Sequence, residues 1–167
     1  MYETILYPTD GSEGAEAALA HARDHAQRYG AEVHVLFVAD SSFERSGMVG
    51  EEHAGTPSGM RGEEHDHEPS GLIAEDTDPL GTIEAGGEAI VERVAAAFGD
   101  DVPVTTAVRR ATPYNGIIEY AEGVGADLIV MGTHGRRGVD HFLIGSVAEK
   151  VVRTSEVPVL TVRLDDA

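Results

Sequence analysis

Two hydrophobic rhythms alternate along the chain. Residues 3–8, Glu3-Thr4-Ile5-Leu6-Tyr7-Pro8, form a short apolar-rich run closed by the turn signal Thr9-Asp10-Gly11-Ser12, which predicts a strand. Ala15, Ala18, Leu19, Ala22, Ala26 and Tyr29 then recur at helical spacing up to Gly30, predicting one helix that glycine ends. Residues 32–38 are almost continuously apolar, the pattern of a strand covered on both faces. From about Ala39 to Asp78 the periodicity disappears. Asp78-Pro79 then reads as an N-cap followed by proline at the first helical position, opening a helix on Ile83, Ile90, Val94 and Ala97, with Phe98 near Gly99. Gly86-Gly87 is expected to weaken the middle of that helix. Residues 102–108 predict a third strand. Thr112-Pro113 starts a helix carrying Ile117, Ala121 and Val124 on one face, and residues 127–131 are a fourth, apolar strand. After a glycine-rich loop, Val147, Ala148, Val151 and Val152 mark a last helix and residues 157–163 a last strand.

Strict alternation of buried strands with helices predicts the α/β class: five strands in a parallel sheet with helices on both faces. No internal repeat of 20–50 residues is present. The 167 residues suit one domain, 1–167, with a long insertion at about 40–78. That insertion is rich in glycine. Between Ser41 and Asp78 it holds seven Glu and three Asp against Arg45 and Arg61. A loop of this length in a compact domain is functional or disordered more often than not.

Composition narrows the function classes. The absence of cysteine excludes a disulfide scaffold, a thiolate zinc site, an iron–sulfur cluster and a cysteine nucleophile. No apolar run approaches the roughly 18 residues of a membrane span, and the start lacks the basic segment of a signal peptide, so a cytoplasmic protein is expected. Thirty acidic residues face twelve basic ones, a net charge of −18. A field of that sign repels nucleic-acid backbones and anionic membranes, so neither is an expected partner. An acidic excess spread over ordinary helices matches proteins of salt-saturated cytoplasm; a merely acidic mesophilic protein is the alternative.

Ligands of parallel α/β sheets sit beyond the carboxyl ends of the strands, where strand order reverses. Two segments should lie there: residues 8–12 after the first strand, and Gly132-Thr133-His134-Gly135 after the fourth, running on to Gly145-Ser146. Glycines let backbone amides approach a ligand, and Gly145-Ser146 opens a helix whose free amides favour an anion. Together they suggest a phosphate cradle. It is not a P-loop, because no lysine follows these glycines, and it is not the Gly-x-Gly-x-x-Gly fingerprint of the first strand.

Residues 127–138, 145–153 and 157–163 closely resemble the universal stress protein (UspA) family. That family's nucleotide motif is Gly, two residues, Gly, nine residues, Gly, then Ser or Thr. It is complete here as Gly132, Gly135, Gly145 and Ser146. Residues 8–12 match the family's first turn, and the resemblance covers the chain outside roughly 40–78. It implies a five-stranded Rossmann-like sheet of the adenine-nucleotide α-hydrolase architecture, a homodimer pairing through strand 157–163, and ATP as ligand, alone or with Mg or Mn. Carried over by position, Pro8, Thr9 and Asp10 meet the nucleotide, with Asp10 facing the ribose. The backbone of Val38 meets adenine, Met131 and Gly132 flank the nucleoside, and Gly135, Gly145 and Ser146 hold the phosphates with the Val147 amide nearby.

Each of these has a purely structural reading. Asp10 with Glu13, and Ser146 with Glu149, could be capping boxes. Gly138 could be a turn residue. Arg136 and Arg137 diverge, so at most one reaches a phosphate. His65 and His67 in an acidic run could ligate zinc or nickel, but a solvated polar run is the commoner reading. His21 and His25, one helical turn apart, read as partly packed residues. His134 occupies a position that the family leaves variable. The resemblance implies a stress-response or signalling switch with little or no hydrolysis. The alternative is a nucleotide hydrolase or phosphotransferase, which needs a positioned base, metal ligands and a cation at the transferring group. Lys150, the only lysine, belongs to no motif that supplies them.

Overall fold

The computed structural model describes residues 1–42, 79–134 and 144–164. In chain order these form β1 (Thr4–Pro8), α1 (Glu13–Glu16), α2 (Leu19–Tyr29), β2 (Glu32–Asp40), α3 (Pro79–Phe98), β3 (Val104–Ala111), α4 (Pro113–Val124), β4 (Leu128–Gly132), α5 (Ser146–Thr154) and β5 (Val159–Val162). All strand pairings are parallel, in the order β3-β2-β1-β4-β5. The fold expected from the hydrophobic rhythm is therefore the fold observed. The chain builds outward from β1 on one side through β2 and β3. It then returns and builds on the other side through β4 and β5.

Side-chain alternation sends the two faces of the sheet to different helices. Ile5, Tyr7, Val33, Val35, Phe37, Leu128 and Val130 meet Ala18, Ala22 and Ala26 at α2 and Val91, Val94 and Phe98 of α3. Leu6, Leu36, Ile129 and Met131 meet Ile117 and Ala121 of α4 and Ala148 and Val151 of α5. With so few aromatics the core is aliphatic. Its largest members, Tyr7 and Phe98, meet edge to face with centroids 5.6 Å apart. Truncating a buried ring such as Phe98 to alanine costs about 3–5 kcal/mol.

Several expected details change. The helix predicted through residues 15–29 is two helices. The buried Tyr7 hydroxyl donates to Ala15 O at 2.6 Å, and Ala18 N–H also turns back to that oxygen at 3.1 Å. Ala15 O is the acceptor that a continuous helix would offer to Leu19, so the helix breaks there and restarts. Burial, with Glu16 and Asp10 adding to it, pushes the Tyr7 phenol well above its ordinary pKa, so it remains a neutral donor. Tyr29 lies outside the core: it is exposed, edge-on to Tyr2 and stacked on His25. His25 is partly packed as expected, but His21 is exposed.

Helix α3 starts at Pro79 as expected, but Ile83 and Ala97 face solvent. Its buried stripe is Gly87, Val91, Val94 and Phe98. Gly87 is a packing requirement there, because a Cβ would overlap the Phe37 ring. Strand β3 runs later than predicted, to Ala111, because it pairs with β2 from Val33↔Val104 to Asp40↔Ala111. Strand β5 keeps only the four residues that pair with Ile129–Gly132. The predicted cap Asp78 lies outside the described residues. Among the described residues no helix is long and apolar enough to cross a membrane.

Candidate functional site

The strand order reverses between β1 and β4, and sheets of this kind hold ligands in a crevice outside the carboxyl ends of the strands at such a point. Nine predicted site residues lie along that carboxyl edge. Pro8, Thr9 and Asp10 follow β1; Val38 lies near the end of β2; Met131 and Gly132 end β4; Gly145, Ser146 and Val147 begin α5. Gly135 lies outside the described residues, as do Arg136, Arg137, Gly138, His141, His65 and His67.

The first turn is held by its own hydrogen bonds. Pro8 is in register with Leu36, and the amide of buried Thr9 donates to Leu36 O at 2.9 Å. Gly11 N–H donates to Thr9 Oγ1 at 3.1 Å. Asp10 Oδ1 accepts from both the amide and the hydroxyl of Ser12, at 3.0 and 2.6 Å. Ser12 Oγ in turn accepts from Ala15 N–H at 3.2 Å. Ser12 is thus the N-cap of α1, which corrects the Asp10–Glu13 capping box. A cap satisfies an amide that would otherwise be orphaned at a helix start. Asp10 acts two residues upstream, fixing the rotamer of the capping serine.

The second half is a close packing of glycine backbones. A Cβ on Gly132 would overlap the carbonyl of Gly14 in α1, and one on Gly14 would overlap His134 O. Thr133 then spans the site. Its N–H donates to Val162 O of β5 at 2.8 Å, and its carbonyl accepts from Gly145 N–H at 2.7 Å. A Cβ on Gly145 would stand 2.8 Å from that same Thr133 oxygen. The Thr133 hydroxyl and His134 Nδ1 share a 2.9 Å hydrogen bond.

Gly145 is the N-cap of α5 and provides no side-chain cap. This corrects the Ser146–Glu149 capping box: Ser146 is the first helical residue, and Glu149 pairs with Arg153 at 2.6 Å. An uncapped helix start presents orphan amides and the positive end of the helix dipole, which suits an anion. Ser146 is exposed beside them. The side chains of Met131 and Val38 belong to the core cluster under α4 and α5, with Val38 against the first turn of α4 at Gly116. What these two present at the crevice is backbone. The sequence reading missed Gly14 and the bridging role of Thr133. A glycine just before the predicted helix was the available signal for the first, and the second is carried by backbone atoms that any residue type supplies. Among the described residues, no group of three His, Asp or Glu is arranged to hold a metal.

Comparison with known proteins identifies the family. The model of the universal stress protein family matches residues 1–163. Universal stress protein MJ0531 of Methanocaldococcus jannaschii is 36% identical over 165 residues, covering 98% of this chain and 83% of that protein. Universal stress protein MJ0577 of the same organism is 32% identical over 164 residues, covering 98% and 96%. The solved structure of MJ0577 superposes with a TM-score of 0.76 at 27% identity, over 100% of this chain and 99% of that one. The universal stress protein UspA of Lactobacillus plantarum superposes at 0.71 with 24% identity, covering 97% and 98%. With the sheet order, the glycine spacing and these likenesses in agreement, the chain belongs to the universal stress protein family.

Proposed function

We propose that this protein binds ATP in the crevice between β1 and β4, and acts as a nucleotide-occupied switch in stress response or signalling. The observation that carries the reading is the start of α5: an N-terminus whose cap, Gly145, supplies no side-chain hydrogen bond and is tied to the end of β4 by the Thr133–Gly145 hydrogen bond. Phosphates take the amides of Gly145, Ser146 and Val147, the ribose lies toward Asp10, and adenine lies toward the backbone of Val38. Magnesium or manganese would come with the phosphates as their counter-ion. Proteins of this fold have been captured with cAMP, at TM-score 0.58, and with dAMP, at 0.50, which supports an adenine nucleotide as the ligand class.

Turnover is slow in this reading. Amides and a helix dipole bind ground-state phosphate as well as a transition state, and uniform binding does not accelerate chemistry. The protein works as a homodimer through β5. Val159, Leu160, Thr161 and Val162 are each only half-buried, and an apolar edge is a pairing hazard unless a second copy covers it. The opposite edge, β3, is blunted by exposed Thr105, Thr106, Arg109 and Arg110. Calorimetric titration with ATP in molar KCl tests the assignment. Wild type is expected to bind at micromolar Kd or tighter, roughly 8 kcal/mol. Gly145→Val, which puts side-chain bulk against Thr133 O, is expected to lose at least tenfold, about 1.4 kcal/mol. Equal binding by the two would move the pocket elsewhere. Phosphate release above about one per second would make the protein an enzyme instead.

A further inference from the structure

Lys150 is the single lysine among twelve basic residues. It is exposed on α5, four residues after Ser146. Its neighbour Glu149 is taken by Arg153, and in a chain of thirty carboxylates Lys150 forms no ion pair among the described residues. Its Nζ stands 4.8 Å from the centroid of the Tyr114 ring. Tyr114, in the first turn of α4, is half-buried against the core cluster shared by α4 and α5.

The placement matters because α4 follows β3 and α5 follows β4, so both helices begin at the carboxyl edge. Helical side chains lean toward the N-terminus, and four residues rise about 6 Å. The lysine stem therefore carries its ammonium toward the level of Gly145, Ser146 and Val147. An exposed ammonium on an aromatic face is held more weakly than one hydrogen-bonded to phosphate. The domain's −18 charge repels an incoming polyphosphate, and one cation beside the cradle offsets that repulsion locally.

We infer that Lys150 is a phosphate-contacting and specificity-determining arm of the nucleotide site, seated on Tyr114 in this structure and drawn to the polyphosphate tail of a bound nucleotide. This rests on the ATP-binding reading above. The arm makes the site discriminate by phosphate number, favouring ATP over AMP.

The test compares wild type, Lys150→Met and Lys150→Arg by titration with adenosine, AMP and ATP. Lys150→Met is expected to weaken ATP about tenfold, as loss of a hydrogen bond to a charged group does, and to leave adenosine within about twofold. Lys150→Arg is expected to recover much of the ATP affinity. A loss of the same factor for all three ligands would show a structural role and overturn the inference, as would no loss. Acylation of amines in wild type gives a readout that needs no variant to fold. ATP should slow modification of Lys150 several-fold, adenosine should not, and the α-amine of exposed Met1 is the internal control. Unprotected Lys150 at saturating ATP overturns the inference while leaving the nucleotide reading standing. A wild type that binds no ATP removes both.

Discussion

The two turns that flank the crevice are built on opposite principles. The turn after β1 is closed: Thr9 Oγ1 accepts from the Gly11 amide, Asp10 accepts from the amide and hydroxyl of Ser12, and Ser12 caps α1. The connection from β4 into α5 is described at its two ends, and these are joined backbone to backbone, by Thr133 O accepting from Gly145 N–H at an N-cap that has no side chain. A side-chain cap makes a helix start self-sufficient. A glycine cap leaves its amides to an outside acceptor. On the proposed reading, the first turn supplies stability and the second anion recognition, although both carry the Gly and Ser that suggest a ligand site in sequence.

That contrast breaks most visibly at Gly132. Gly132→Val forces a side chain into the backbone of α1, so both halves lose their relative position. We expect a loss of about 3 kcal/mol or more, read as a collapse of the urea midpoint. Its counterpart Gly145→Val should act mainly on ligand affinity, so the pair separates a glycine that holds the halves together from one that admits the ligand. Ser12→Ala sharpens the other side. It removes the cap of α1 and one partner of Asp10, and should cost about 1 kcal/mol of stability while changing ATP affinity less than threefold. A large affinity loss without a stability loss would reverse the division of labour between the turns.

The smallest effect concerns the amino edge. Asp127 Oδ2 accepts the amides of Glu3 and Thr4 at 2.8 and 3.0 Å, and these two bonds hold its carboxyl below the usual carboxylate range. A folded pKa below the unfolded value of about 3.9 adds stability that is present above pH 4 and lost as pH falls through the folded pKa. Asp127→Asn should therefore flatten the acid side of the stability profile slightly and leave nucleotide affinity unchanged. Denaturant midpoints between pH 2 and pH 6 check this, and an unaltered slope would mean that the two bonds carry no linkage.

The sheet was legible because parallel strands covered on both faces are apolar runs, and residues 32–38 and 128–131 could hardly be anything else. The glycine spacing from Gly132 to Gly145-Ser146, with its flanks, made the family legible for a similar reason, since that pattern is specific. What stayed hidden depends on partners distant in sequence. The break between α1 and α2 is set by the Tyr7 hydroxyl. Gly87 reads as a weak point until Phe37 arrives from β2. The capping reading at Asp10 moves to Ser12, a shift that only the backbone geometry of the turn reveals.

The place of β1 at the centre of the sheet has a consequence for how the chain folds. Its first partner, β2, is the next strand, but its second, β4, arrives with Ile5 opposite Leu128. Closing so long a loop is entropically costly, and pairings of this separation slow folding. A growing chain that has not yet made α5 holds the first turn but no cradle. On the proposed ATP-binding reading, nucleotide-linked stabilisation would reach only chains that have made α5, and would favour them over shorter ones.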